Sequence, residues 1–311
     1  MRTSFKLLVG TALTAGSLAG FAGFAIAENY IVITHTAGTD PFWPVVQRGA
    51  EDAAAAVGAT LDYRHPSAGD LVEMGQIVQA ATAQNPDGIV VSIPDADILG
   101  GPIQAAIAAG IPVVSINSGA DVADSLGVLM HVGQPEYEAG MAGGERAVEE
   151  GVTRGLCLNQ EAFNVALEQR CQGYADGLGQ ELNMIDVTND PAEIRARTSA
   201  AVSTDESIDG ILAVGPHVCE AAVQALTDLG LNGQIHLGCF DLTPGVVEGI
   251  QNGDVAFAID QQQYLQGYLP IIVLDLYNKY GLLPGSDVPS GPGFVTQENA
   301  AQVLDLAGTY R

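Results

Sequence analysis

The sequence predicts an α/β protein made of two doubly wound parallel-sheet lobes. Short segments that are apolar on both faces, bounded by Gly, Pro or Asn, alternate with alanine-rich helical segments. Strands buried inside a parallel sheet read this way. The series also runs twice, with a break near His131–Pro135, in a chain of 311 residues that is long for one compact domain and comfortable for two.

The elements follow in order. Arg2 and Lys6 precede an apolar stretch, and Ala25-Ile26-Ala27 supplies a small-x-small cleavage site. Residues 1–27 therefore read as an export signal, with the mature chain expected to start at Glu28. No cysteine stands near the cut to accept a lipid, and no later run is apolar enough to span a bilayer, so a free periplasmic protein is expected. The first strand series is Tyr30–Thr34, Thr60–Arg64, Gly88–Ile93, Pro112–Asn117 and Val128–Val132. Helices are expected over Phe42–Val57, Leu71–Gln84 and Ala96–Ala109. The second strand series is Leu156–Asn159, Met184–Val187, Gly210–Val214, Ile235–Phe240 and Val255–Ile259, with a helix over Val218–Leu229. Gln262–Tyr280 reads as a late helix and Gly293–Val295 as a short extended segment.

The charge narrows the partners. A formal net charge of −26, with Lys279 the one lysine beyond the signal, repels nucleic-acid phosphates and anionic membranes. No Ser/His/Asp elbow or paired catalytic carboxylate stands out, so no enzyme is expected and no cofactor is implied.

In open parallel sheets, ligands bind beyond the carboxyl ends of the strands. Those ends hold the polar and aromatic residues of interest. Thr39-Asp40-Pro41-Phe42-Trp43 follows the first strand, Ser92 closes the third, and Asn117-Ser118-Gly119 closes the fourth. In the second half, Asn164 opens the helix that carries Arg170, and Pro216-His217 follows the eighth strand. The ninth strand ends in Phe240-Asp241, and the tenth leads into Gln261. Asp40 also has a plain reading as a helix N-cap ahead of Pro41. His35, just past the first strand, reads as structural.

Together the polar-Pro-Phe-aromatic opening, the Ile-Pro-Val-Val-Ser-Ile-Asn strand, the Arg170-to-Tyr174 helix and the Gly-x-Phe-Asp strand end resemble the ribose-type periplasmic sugar-binding proteins of ABC importers. The resemblance covers essentially the whole mature chain. It implies a three-strand hinge, with one lobe from residues 28–133 plus 262–292 and the other from residues 134–261 plus 293–311. It implies that Phe42 and Trp43, with Phe240 opposite, sandwich a sugar ring. Asp40, Ser92, Asn117, Asn164, Arg170, His217, Asp241 and Gln261 complete the expected ligand set. The chemistry fits: aromatic faces cover sugar C–H groups, while Arg and Asp make charge-assisted bonds to hydroxyls. Ser118 stands where a ribose binder has a second arginine, Asn117 replaces an aspartate and Asp40 an asparagine, so another pentose, a deoxy sugar or a polyol is as reasonable as ribose. The implied partners are a membrane permease and, in some relatives, a chemoreceptor; a monomer is expected. An exported sugar-active enzyme, or a receptor for a furanose signal, is the alternative.

Arg170 and Asp241 are expected to pair with each other at the cleft mouth, so that removing either weakens binding and leaves the unliganded fold intact. All four cysteines lie in the second lobe, and export permits disulfides. Cys157 with Cys171 and Cys219 with Cys239 are the candidate pairs, and the sequence leaves open whether either forms. A zinc site from His217, Cys219, His236 and Cys239 is disfavoured, because His236 and Cys239 point to opposite faces of one strand.

Overall fold

The computed structural model describes residues 27–36, 40–67 and 69–311. The export signal therefore lies outside the described residues but for Ala27, as does Thr39 of the aromatic opening. Among the described residues, no helix is long and apolar enough to cross a membrane.

The first half runs β1 (Asn29–Ile33), α1 (Phe42–Val57), β2 (Thr60–Arg64), α2 (Leu71–Thr82), β3 (Gly88–Ser92), α3 (Ala96–Ala108), β4 (Val113–Ile116), α4 (Ala120–Leu126) and β5 (His131–Gly133). The second repeats the pattern as α5 (Glu136–Glu149), β6 (Gly155–Asn159), α6 (Val165–Leu178), β7 (Met184–Asp186), α7 (Pro191–Thr204), β8 (Gly210–Ala213), α8 (Pro216–Leu229), β9 (His236–Phe240), α9 (Pro244–Asn252) and β10 (Phe257–Asp260). The chain ends in α10 (Gln263–Tyr280), β11 (Val288–Pro289), β12 (Gly293–Val295) and α11 (Ala300–Val303). Two six-stranded sheets result, ordered β11-β5-β4-β3-β1-β2 and β12-β10-β9-β8-β6-β7. Every pairing is parallel except β10 with β12.

Strand periodicity assigns the two faces of each sheet. In β1, Tyr30 and Val32 pack toward α1 and α10, while Ile31 and Ile33 pack toward α2 and α3. In β6, Leu156 and Leu158 join the core under α7, α8 and α9, while Cys157 faces α5 and α6. Burial of both sets is what the hydrophobic effect demands of a sheet covered by helices on each side. Asp70, Asp95, Asn164, Asp190 and Thr243 accept backbone N–H bonds at helix starts, as N-caps do.

Two helix pairs sit unusually close. A Cβ on Gly140 of α5 would fall 2.1 Å from the Arg170 carbonyl oxygen, and one on Gly173 of α6 would fall 2.1 Å from that of Tyr137. In the other lobe, a Cβ on Gly267 of α10 would meet the Val46 carbonyl at 1.9 Å, and one on Gly49 of α1 that of Tyr264 at 2.1 Å. Only glycine permits such backbone approach.

Three crossings link the sheets: Gln134–Pro135 between β5 and α5, Gln261–Gln262 between β10 and α10, and residues 290–292 between β11 and β12. Gln262 Nε2 donates to the Ser290 carbonyl at 2.7 Å, Gln266 Nε2 to Ser290 Oγ at 3.0 Å, and Ser290 N to the Gly133 carbonyl at 2.8 Å. Each crossing is thereby tied to the next.

Cys157 of β6 is bonded to Cys171 of α6, and Cys219 of α8 to Cys239 of β9, with Cα atoms 5.6 and 5.7 Å apart. Both candidate pairs are thus formed, which also removes the two thiols from any metal site. Among the elements without a sequence forecast are α4, α7, α11 and, at the sheet edge, β11. Residues 128–130 precede β5 rather than belonging to it.

Candidate functional site

The carboxyl ends of both sheets face one cavity, about 300 Å³ with its solvent-open part included. The first lobe lines it with His35, Asp40, Phe42, Trp43 and Asn117. The second lobe supplies Gln160, Glu161, Asn164, Leu167, Arg170, Asp241 and, at a crossing, Gln261.

On the first-lobe side, Asp40 Oδ1 accepts from Phe42 N at 3.0 Å, which fixes the start of α1 and the two aromatic rings behind it. Phe42 and Trp43 lie edge to face with centroids 4.9 Å apart, and the His35 ring stands edge-on to Trp43, also at 4.9 Å. Ser92 is not at the cavity surface: its hydroxyl bonds His35 N at 3.1 Å and His35 Nδ1 at 2.8 Å, so it orients that imidazole from beneath.

On the second-lobe side, Arg170 is 2% exposed and Glu136 5%. Arg170 Nε and Nη2 donate to the Glu136 carboxylate at 2.7 and 2.8 Å, and Nη1 donates to the Val214 carbonyl at 2.9 Å. Asp241 lies farther off, with Oδ2 4.0 Å from Arg170 Nη1. The expected partner was Asp241; the bidentate partner is Glu136, the first residue of α5. That pairing offsets the burial of Arg170 and raises its pKa further. Phe240 is likewise displaced from its expected place against a ligand. It is wholly buried in the core under α5 and α6, and the Arg170 guanidinium stacks over its ring at 4.4 Å. Burial pushes the Asp241 carboxyl up to about 8, against the pull of Arg170 and a 2.9 Å bond from Gln261 Nε2.

Between the halves, Ser118 Oγ lies 2.9 Å from Asn117 Oδ1 and 3.2 Å from Asn164 Oδ1. Asn164 Nδ2 donates to Glu161 Oε2 at 2.8 Å, and the same oxygen is 3.3 Å from His35 Nε2. Burial opposes the Glu161 charge, but His35 and Asn164 hold its pKa below the usual value. His217 stands behind the rim, with Nδ1 3.8 Å from Asp40 Oδ1 and Nε2 2.9 Å from Asn189 Oδ1. Asp40 is raised by burial against the pull of His217. Asn117 and Asp241 adopt φ of 60° and 67°, in the left-handed region. Such conformations cost of order 1–3 kcal/mol each and persist where surroundings enforce them, which at both strand ends aims a polar side chain at the cavity.

The periplasmic binding protein domain family matches residues 30–279. The chain belongs to that family. A xylose/arabinose-binding protein, XylF, of Sulfolobus acidocaldarius is 28% identical over 90% of this chain and 74% of its own length. A carbohydrate transporter from Acidothermus cellulolyticus 11B, solved with myo-inositol, is 36% identical, covers 91% of this chain and 99% of its own, and superposes with a TM-score of 0.86. A periplasmic sugar-binding protein from Legionella pneumophila is 28% identical over 85% of this chain and 99% of its own, with a TM-score of 0.80. This family and these relatives are solute-binding proteins, and the two parallel-sheet lobes here are their type I architecture.

Several site residues escaped the sequence reading, Gln160 and Leu167 of the cavity lining among them. His35 reads as structural yet lines the cavity, and Glu161 and Glu136 are not forecast at all. Glu161 lies two residues beyond the end of β6, so the strand-end rule that picked out Asp241 applies to it equally. Glu136 carries no such mark; the only clue is that a buried arginine needs a carboxylate.

Proposed function

We propose that this chain is the periplasmic substrate-binding protein of an ABC importer, which holds a monosaccharide or polyol between its lobes, hands it to a membrane permease and catalyses nothing. One observation carries the reading: an aromatic wall, Phe42 and Trp43, opposes a buried polar centre, Arg170 and Asp241, across a cavity bounded by the carboxyl ends of two sheets. Apolar faces for C–H groups and fixed polar groups for hydroxyls are the two halves of sugar recognition. Asp40, Asn117, Asn164 and Gln261 supply further hydrogen bonds. The relatives that bind xylose, arabinose and myo-inositol support this class of ligand.

Residues 28–133 with 262–292 act as one closing body, and residues 134–261 with 293–311 as the other. The three crossings bend between them, and ligand contacts on both sides favour the closed arrangement. The mature protein starts at Glu28, works as a free monomer in the periplasm and needs no cofactor. A chemoreceptor is a second docking partner for the closed form.

A thermal-shift screen of the mature protein against sugars, polyols and sugar acids tests the reading. A ligand at a hundred times its Kd should add about 2.7 kcal/mol of stability. If no compound raises the melting temperature, or if a bound sugar is converted to product during incubation, the reading fails.

A further inference from the structure

Two imidazole–carboxyl contacts cross the cavity from lobe to lobe, in opposite senses. His35 of the first lobe meets Glu161 of the second, with Nε2 3.3 Å from Oε2. His217 of the second meets Asp40 of the first, with Nδ1 3.8 Å from Oδ1. The two pairs are not equivalent. Ser92 Oγ accepts from His35 N and lies 2.8 Å from His35 Nδ1, so its own hydrogen goes to Nδ1 and the ring hydrogen sits on Nε2, facing Glu161. A neutral His35 and an ionised Glu161 meet there with no proton added.

At the other pair the ring hydrogen is on the wrong side. His217 Nε2 lies 2.9 Å from Asn189 Oδ1, an acceptor, so Nε2 is the nitrogen that donates. Nδ1 is buried, has no hydrogen-bond partner among the described residues and faces Asp40. A neutral imidazole and a carboxylate so arranged present two acceptors to each other. One proton relieves this, on Nδ1 to give an imidazolium or on Asp40 to give a neutral acid. Burial favours the proton on Asp40, against the pull of His217. With the lobes apart both groups would be solvated. Above pH 7 a solvated imidazole is neutral and a solvated carboxyl ionised, their usual values being about 6.5 and 3.9. The other charges near the pair are Glu161 and His35, which act on Asp40 in opposite senses, and Asp241 beyond them. Of the acids flanking His217, Asp190 caps α7 and Glu220 is engaged by Thr243.

We propose that closing the lobes takes up a proton at the Asp40–His217 pair, so that ligand affinity falls as pH rises from 6.5 to 8.5. The proposal rests on the reading of a sugar-binding cleft that closes, and adds a linkage to it. Proton and ligand favour the same closed form, so each strengthens the binding of the other.

Calorimetric titration of the mature protein with myo-inositol, D-xylose, L-arabinose and D-ribose tests it. Runs at pH 7.5 in phosphate and in Tris, whose ionisation enthalpies differ, count the protons taken up per ligand bound. At least about half a proton should be taken up, and Kd should rise at least about fivefold between pH 6.5 and pH 8.5. Binding with no uptake, or with a flat Kd, overturns the linkage and leaves the sugar-binding reading standing. If none of the four binds at any of these pH values, that reading fails and the linkage falls with it. Asp40→Asn offers an amide N–H where the proton would go, and His217→Gln removes the imidazole. Each, checked for folding by its melting curve, should at least halve the uptake and flatten the ratio of Kd values. That ratio is independent of a uniform loss of affinity, so an unchanged ratio in both variants refutes the assignment. Asp241, pushed up to about 8, titrates in the same range. Asp241→Asn should keep most of the ratio; if it alone flattens it, the proton belongs to Asp241 and the proposal is wrong.

Discussion

Arg170→Ala should damage the fold as well as the site. The guanidinium holds Glu136 through bonds of 2.7 and 2.8 Å, and both side chains are only 3% exposed. Removing one partner of a buried ion pair typically costs about 3–5 kcal/mol, because the other charge is left unpaired. The Val214 carbonyl would lose its bond from Nη1, and Phe240 its guanidinium cover. At about 2–4 °C per kcal/mol for domains of this size, the melting temperature should fall on the order of 10 °C. The sequence-based expectation of an unaffected fold assumed a local pairing with Asp241 and is corrected by the Glu136 contact. The decisive control is the double variant Arg170→Met/Glu136→Leu. Replacing both members of a buried pair by apolar residues of similar volume is often neutral, so stability should return while ligand binding does not. Circular-dichroism melts beside calorimetric titrations read the two effects separately. A single variant that melts within about 2 °C of the parent, or a double variant no more stable than the single, would refute the reasoning.

Other expectations follow from the same structure. Burial raises the Asp241 pKa to about 8 from an unfolded value of about 3.9, so its neutral form contributes stability that is complete below about pH 4 and lost as pH rises toward 8. Asp241→Asn should therefore lessen the fall in melting temperature across that window, and parallel pH profiles for the two proteins would contradict this. Saturating ligand should reduce the radius of gyration in small-angle scattering, since both lobes contribute to the cavity; an unchanged radius counts against closure. Gly140→Ala places a Cβ against the Arg170 carbonyl and should cost about 1–3 kcal/mol, whereas Gly101→Ala, with nothing within 4 Å, should be neutral or stabilising. Equal melting temperatures for these two variants would sink the close-packing argument. The denatured, unreduced protein should expose none of its four thiols to a thiol reagent, and reducing Cys157–Cys171, 14 residues apart, should remove roughly 3 kcal/mol of stability in denaturant unfolding.

The fold was largely legible because its signals are local. Phe42–Val57 and Thr60–Arg64 have the same bounds in sequence and structure, since a helical apolar stripe marks the one and a polar-apolar alternation marks the other, an edge strand. The edge strand Val288–Pro289 was not legible, because two residues pairing beside β5 carry no period. At the site, strand ends pointed to Asp241 and Asn117, but partnership was a matter of tertiary geometry. Glu136 meets Arg170 only because α5 and α6 touch backbone to backbone, a contact that depends on Gly140 and Gly173 together. Phe240 was misjudged through strand parity: its side chain faces the helices that cover the sheet, and the chain turns into the cavity one residue later, at Asp241.

The glycine-lined helix pairs also bear on how the chain becomes a protein. α5 follows the last parallel strand of the first half but is clasped by the second lobe, while α10 follows the last parallel strand of the second half but is clasped by the first. The two halves thus exchange one helix each, as swapped subunits do. A fragment ending at the first crossing would lack the helix that covers Tyr30, Val32 and Val90, and would leave that apolar face in water. The first lobe therefore cannot be completed during synthesis until almost the whole chain has emerged. Two lobes built on separate sheets must, on this wiring, be assembled as one.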